Sequence, residues 1–107
     1  MENPYIGKVR HVVMFRFKDG TSDELIKDLI DQYRELKGKV PGIVDWEWGA
    51  DISIEDLHND FTHCFIVTFE DTKARDGYVP HAAHLEYVDV LLPHLDKIQV
   101  VDYVCGG

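Results

Sequence analysis

Tyr78, His81 and His84 stand three residues apart in YVPHAAHLEYVDVLLPHL, residues 78–95, a stretch that also holds two prolines. Imidazole is the side chain most readily poised for proton transfer near neutral pH. A phenol beside it can polarise a carbonyl oxygen while the imidazole moves a proton. On a helix His81 and His84 would be near neighbours on one face. Close to that helix's N-terminus the dipole disfavours an imidazolium, so neutral imidazoles suited to a general base are expected. The same spacing would suit a zinc pair, but zinc needs a third and usually a fourth ligand. The sequence supplies no Cys partner at zinc spacing and no HExxH, so no metal and no cofactor are expected. A Ser-His-Asp order, a Gly-rich phosphate loop and a dinucleotide fingerprint are also missing from the sequence, which leaves a proton-transfer pocket as the chemistry these residues point to. Two further histidines, His11 and His63, fall inside apolar strands, where a half-buried histidine satisfied by a neighbour is the commoner fate. His58 and His94 lie in polar surroundings and are expected to be exposed and without a role.

The elements that must position these residues follow from periodicity. VRHVVMFRF (9–17) reads as a strand, with His11, Val13, Phe15 and Phe17 on one face and Val12, Met14 and Arg16 on the other. Thr21 and Glu24 form a capping box for a helix over 22–37, whose apolar stripe is Leu25, Ile26, Leu29, Ile30, Tyr33 and Leu36. Gly38 and Pro41-Gly42 end it. A second strand, Ile43 to Gly49, puts Val44, Trp46 and Trp48 on one side and Asp45 and Glu47 on the other. ADISIEDLHND reads as a loop with at most a short helical turn. FTHCFIVTFE is the third strand, with His63, Phe65, Val67 and Phe69 on one face. Asp71 or Thr72 caps a short helix to Tyr78, Pro80 interrupts it, and a helix follows from His81 to Leu92. KIQVVDYV is the last strand.

The order β-α-β-β-α-β, over residues 1–107 as one domain, is that of an α+β ferredoxin-like protomer: a four-stranded antiparallel sheet with its helices on one face. The other face would be bare. It is expected to carry Val12, Met14, Trp46, Trp48, Ile66 and, depending on register, Val101 or its neighbours, more apolar surface than a soluble monomer usually shows. A two-fold homodimer packed through that open face is the simplest cover.

Bulk composition agrees with a folded soluble chain, 45% hydrophobic and 11% aromatic. A formal charge of −9 argues against nucleic acid and against an anionic membrane as partners, since both need a basic face. The two cysteines, Cys64 and Cys105, lie far apart and fit no CxxC or zinc spacing, and Cys64, inside an apolar run, reads as a free thiol behaving as a small hydrophobe. MENPYIGKVRHVVMF has neither a signal peptide's basic start nor a long apolar run, so a cytoplasmic setting is expected.

VRHVVMFRFKDGTSDE, KVPGIVDWEWGAD, FTHCFIVTFED and YVPHAAHLEYVDVLLPHLDKIQVVDY together resemble the stress-responsive dimeric α/β-barrel (Dabb) family, over about Val9 to Val104. The resemblance implies a ferredoxin-like protomer dimerising through its sheet. It also implies a chemistry, because a plant polyketide cyclase of the family closes a linear thioester by aldol condensation without metal or cofactor. By that resemblance His84 is the general acid/base, Tyr78 the group that holds the substrate carbonyl, and His11 a strand histidine in the same pocket. Tyr33 matches a pocket tyrosine. Here Pro80 precedes His81, whereas in the cyclase the proline follows that histidine. The first reading is therefore a homodimer with a small apolar pocket between sheet and helices, walled by Val13, Phe15, Leu29, Tyr33, His63, Phe65, His81 and Tyr87. It would act on a small hydrophobic carbonyl compound by aldol or isomerase chemistry. Two other readings stay open, a non-catalytic stress or ligand-binding dimer and a monooxygenase-like or haem-handling relative.

Overall fold

The computed structural model describes residues 2–107. Its elements run β1 (Val9–Phe17), α1 (Asp23–Glu35), β2 (Ile43–Ala50), β3 (His63–Phe69), α2 (Thr72–Tyr78), α3 (Ala82–Leu91) and β4 (Leu95–Val104), with 3₁₀ turns at Leu36–Gly38 and Leu92–His94. All sheet pairings are antiparallel, in the order β2-β3-β1-β4. This is the ferredoxin-like α+β arrangement, with the second helix split in two. Proline cannot donate the backbone hydrogen bond a continuous helix needs at Pro80. The chain instead turns extended at His81 (φ −62°, ψ 136°), which becomes the N-cap of α3.

The core forms where α1, α2 and α3 cover one face of the sheet. Val13, Phe15, Phe65, Val67 and Phe69 from the strands meet Leu29, Ile30 and Tyr33 from α1, and Tyr78, Tyr87 and Leu91 from α2 and α3. Tyr33 is the hub of an aromatic cluster, its ring 5.1 Å from Phe65, 5.2 Å from Tyr87 and 5.6 Å from Trp46. Each such side chain contributes about 1.5–3 kcal/mol by leaving water. Gly42 ties the sheet to α2. It adopts φ +88°, and a Cβ there would lie 2.5 Å from the Cβ of Ala74. Only glycine admits both the left-handed turn and that close approach.

The structure corrects the sequence reading at several points. Trp46 and Trp48 do not face the bare side of the sheet. The β2–β3 register shifts between Ile43 and Asp45, and beyond it Trp46 pairs with Val67 and Trp48 with Phe65, both on the helix-covered face. The bulge explains the flip, because one extra residue reverses the facing of everything after it. The open face carries Val12, Met14, Ile66, Val101 and Tyr103 instead. Its far end is polar: Tyr5 donates to Asp45, and Arg10 lies 4.4 Å from the centre of the Tyr5 ring and 3.2 Å from Glu47.

The helix cap also moves. Ser22, not Thr21, caps α1, its hydroxyl accepting from the Leu25 N–H at 3.1 Å, while Thr21 Oγ1 donates to the Lys18 carbonyl. Glu24 thus sits too early to complete a capping box. The 51–62 segment is irregular with no helical turn, β4 starts at Leu95, and His58 and His94 are half-buried rather than exposed.

Two substitutions separate the cap assignments. Ser22→Ala should cost about 1 kcal/mol in urea unfolding, and Thr21→Ala only a few tenths, as expected of a surface position away from the cap. The reverse order would restore the capping box.

Candidate functional site

The site begins with a cross-strand pair. His11 on β1 stands opposite Asp102 on β4, both on the helix-covered face. His11 Nδ1 and Asp102 Oδ1 are 2.6 Å apart, and Arg75 Nη1 donates to Asp102 Oδ2 at 2.7 Å. With one oxygen held by a guanidinium, the carboxylate can only accept from His11. Nδ1 therefore carries the proton and Nε2 is the free nitrogen. Burial pushes the proton affinity of His11 down, and the adjacent Asp102 opposes this without overcoming it. His11 is therefore a neutral imidazole at pH 7.

Tyr78, the last residue of α2, is only 1% exposed. Its ring centre lies 5.7 Å from that of His11 and 4.1 Å from that of His84. Burial raises its pKa, so the phenol remains an O–H donor at any physiological pH. His84, in the first turn of α3, is oriented by Val79, the C-cap of α2. Its Nδ1 is 2.9 Å from the Val79 carbonyl oxygen, which can only accept, so here too Nε2 is left free. The same break at Pro80 that splits the helix thus supplies the group that fixes the His84 tautomer.

Between sheet and helices these residues wall a cavity of about 310 Å³, lined by His11, Val13, Phe15, Tyr33, Tyr78, Val79, His84, Tyr87, Val88, Leu91, Ile98 and Val100. Its ionisable lining groups are two imidazoles and three phenols; the rest is hydrocarbon. Tyr33 is raised well above an ordinary phenol, by burial first and then by Tyr78 and Tyr87. The Tyr87 hydroxyl donates to the Leu29 carbonyl at 2.8 Å, which makes it a strut between α3 and α1.

The structure brings together His84, Tyr78 and His11, and adds Val13, Phe15, Tyr33 and Tyr87 from the expected wall. Four expected wall residues lie elsewhere. Leu29 and Phe65 are wholly buried in the core behind the cavity. His81 caps α3, its Nδ1 accepting from the Ala83 N–H at 3.1 Å, and it does not line the cavity. His63 lines a separate groove between α1 and the sheet, its ring nearly parallel to Trp48 (16°). Sequence reasoning missed Asp102, Arg75, Val79, Val88, Leu91, Ile98 and Val100. For Asp102 a signal existed, since an acidic residue alternates in phase with apolar ones on β4, but only the register sets it opposite His11. Among the described residues no three His, Cys, Asp or Glu side chains group as a metal site, and no helix is long and apolar enough to cross a membrane.

Burial lowers the pKa of both His11 and His63 below the ordinary histidine value. The unfolded chain therefore takes up protons at a pH where the folded chain does not, and stability falls as pH drops below about 6.5, the ordinary histidine value. Urea midpoints should decline between pH 7.5 and pH 5, with a shallower slope in His11→Gln. An equal slope in the variant would remove His11 from this linkage.

Residues 9–105 match the Stress responsive A/B Barrel Domain family, Dabb. The stress-response A/B barrel domain-containing protein HS1 of Arabidopsis thaliana is 43% identical over 97 residues, covering 91% of this chain and 89% of its own. Olivetolic acid cyclase of Cannabis sativa is 28% identical over 95 residues, 89% of this chain and 94% of its own. Hydroxynitrile lyase from Passiflora edulis superposes with a TM-score of 0.86 at 30% identity, covering 95% of both chains. Structural relatives are dimeric ferredoxin-like proteins, among them one from Jannaschia sp. CCS1 at 25% identity and a TM-score of 0.78, covering 91% of this chain and 98% of its own. The matched region contains the whole sheet, the Pro41-Gly42 turn and the helix histidine beside Tyr78, and the chain belongs to the Dabb family of stress-responsive A/B barrel domains.

Proposed function

We propose that this Dabb protein is a cofactor-independent proton-transfer enzyme acting on a small hydrophobic carbonyl compound, of the lyase or isomerase type. The observation that carries the reading is the pairing of tautomers. Both His11 and His84 have Nδ1 engaged by an acceptor, and the ring of the non-ionising Tyr78 packs against both imidazoles, 5.7 Å and 4.1 Å from their centres. A base, a donor for a carbonyl oxygen and a second acid/base group are what enolate formation requires.

In this mechanism the substrate carbonyl accepts a hydrogen bond from the Tyr78 hydroxyl. His84 Nε2 takes a proton from the adjacent carbon, and the resulting enolate oxygen is held by the phenol. Protonation of the product, or of the carbon freed when a carbon–carbon bond breaks, falls to His84, which returns the proton it took; neutral His11, with a free Nε2, can only accept one. The apolar walls from Val13, Phe15, Leu91 and Val100 take up the hydrocarbon part of the substrate. Two relatives named for lyase-type or cyclising activities, olivetolic acid cyclase and hydroxynitrile lyase, are consistent with carbon–carbon chemistry in such a pocket. A passive ligand-binding dimer would use the same apolar cavity but would have no need of two pinned imidazoles.

The chain acts as a homodimer joined through its open sheet face. The dimeric relatives support this, as does the exposure of Val101 and Tyr103 (49% and 46%) beside Val12, Met14 and Ile66. The two free thiols fit a reducing, cytoplasmic setting.

Exchange of α-protons in an alkyl 1,3-diketone, followed by NMR in D₂O, tests the chemistry without a known substrate. Wild-type protein should accelerate exchange, and His84→Ala should lower the rate about 10²-fold or more while sedimenting unchanged. Exchange no faster than with free imidazole, or retained in His84→Ala, rejects the enzyme reading. For the assembly, Val101→Asp should convert a dimer into a monomer in sedimentation equilibrium. A wild-type monomer, or a dimer indifferent to that change, places the interface elsewhere.

A further inference from the structure

We infer that Arg75 is a positioning residue that fixes the tautomer of His11 and reinforces its neutral state, acting through Asp102. Arg75 does not line the cavity. It lies in α2 one turn before Tyr78, so a single short helix delivers both the phenol and the clamp. Its guanidinium is anchored twice, Nη1 to Asp102 Oδ2 at 2.7 Å and Nε to Asp76 Oδ1 at 2.9 Å.

The physical consequence turns on what a carboxylate does to a histidine. Against the burial that holds His11 neutral, Asp102 at 2.6 Å pulls toward the imidazolium, in which both nitrogens are protonated and no lone pair is left to use. Arg75 counters this in two ways. It occupies the second carboxylate oxygen, which draws charge density away from His11. It also places a fixed positive charge near the ring, which opposes a second one. Of the other groups facing His11, Tyr78 stays a neutral phenol and the Phe69 ring lies 5.9 Å away, while His84 opposes a second positive charge in the same sense as Arg75 but does not touch Asp102. Asp102 remains a good acceptor for Nδ1–H, so the neutral tautomer with a free Nε2 is the one selected. The inference rests on the proposed reading only for its catalytic consequence; the tautomer and charge of His11 can be measured without any substrate.

The experiment is an imidazole-nitrogen NMR titration of the full chain, with His11→Gln identifying the His11 resonances. Wild type should show His11 neutral at pH 7 with the proton on Nδ1. In Arg75→Gln its titration midpoint should rise by about one pH unit, giving a substantial imidazolium population at neutral pH. Arg75→Lys should return the midpoint part of the way, because it restores charge without the planar fork. Arg75 is 28% exposed at its side chain, so the fold should survive, and thermal unfolding of each variant controls for this. An unchanged midpoint and tautomer in Arg75→Gln overturns the inference, as does a wild-type His11 already charged at pH 7. The two readings fail separately. If wild type shows no α-proton exchange yet the midpoint moves, the enzyme proposal falls and the control of His11 stands. If exchange occurs and the midpoint does not move, the enzyme proposal stands and the role of Arg75 falls.

Discussion

The register of β1 is the constraint on which the rest of this molecule depends. The strand runs through the middle of the sheet, paired to β3 on one side and β4 on the other. Because side chains alternate, that register puts His11, Val13 and Phe15 under the helices and Val12 and Met14 on the opposite face. A slip of one residue would move His11 to the open face and put Arg10 and Val12 under the helices in its place. The same register sets Asp102 opposite His11. The apolar core enforces it, since Val9, Val13, Phe15 and Phe17 are all nearly inaccessible to solvent. Hydrophobic burial thus aligns a polar pair that could not hold the sheet in register by itself.

Around that strand the aromatic cluster does two things at once. Phe15, Phe65, Tyr33 and Trp46 fill the space between sheet and α1 with large rings, some stacked and some tilted edge to face. They also make a low-dielectric floor for the cavity, which is why Tyr33, Tyr78 and Tyr87 all resist ionisation and His11 resists protonation. Electrostatics at the site is therefore a by-product of packing. Polar order is added sparingly, by the Asp102 carboxylate and the Val79 carbonyl, each of which pins one imidazole.

The interrupted second helix links fold to site. Asp71 caps α2 through the Ala74 N–H, Gly42 lets that helix sit against the sheet, and α2 ends after about two turns, just before the proline. An unbroken helix would have used the Val79 carbonyl in its own hydrogen bonding and left His84 unoriented. The shortness of α2 is thus a requirement of the geometry.

Much of this was determined by the sequence alone. Strong alternation in 9–17 and 63–69, the apolar stripe of α1 and the Pro80 break fixed the element order, and with it the ferredoxin-like class, because these signals are local. The spacing of Tyr78 and His84 only permitted a pairing; the turn at Pro80 and His81 brought their ring centres to 4.1 Å. What tertiary structure decided was everything that depends on pairing across the chain. The facing of Trp46 and Trp48 turned on a single bulge that no composition signals. His63 and His81, as plausible by type as His84, were sent elsewhere by the direction of a strand end and by a capping bond. Asp102 and Arg75, remote in sequence from His11, became its partners only when β4 and α2 converged on β1. Local periodicity encodes which face a residue occupies within its own element, whereas register and helix placement, set by the summed packing of the core, decide which faces meet.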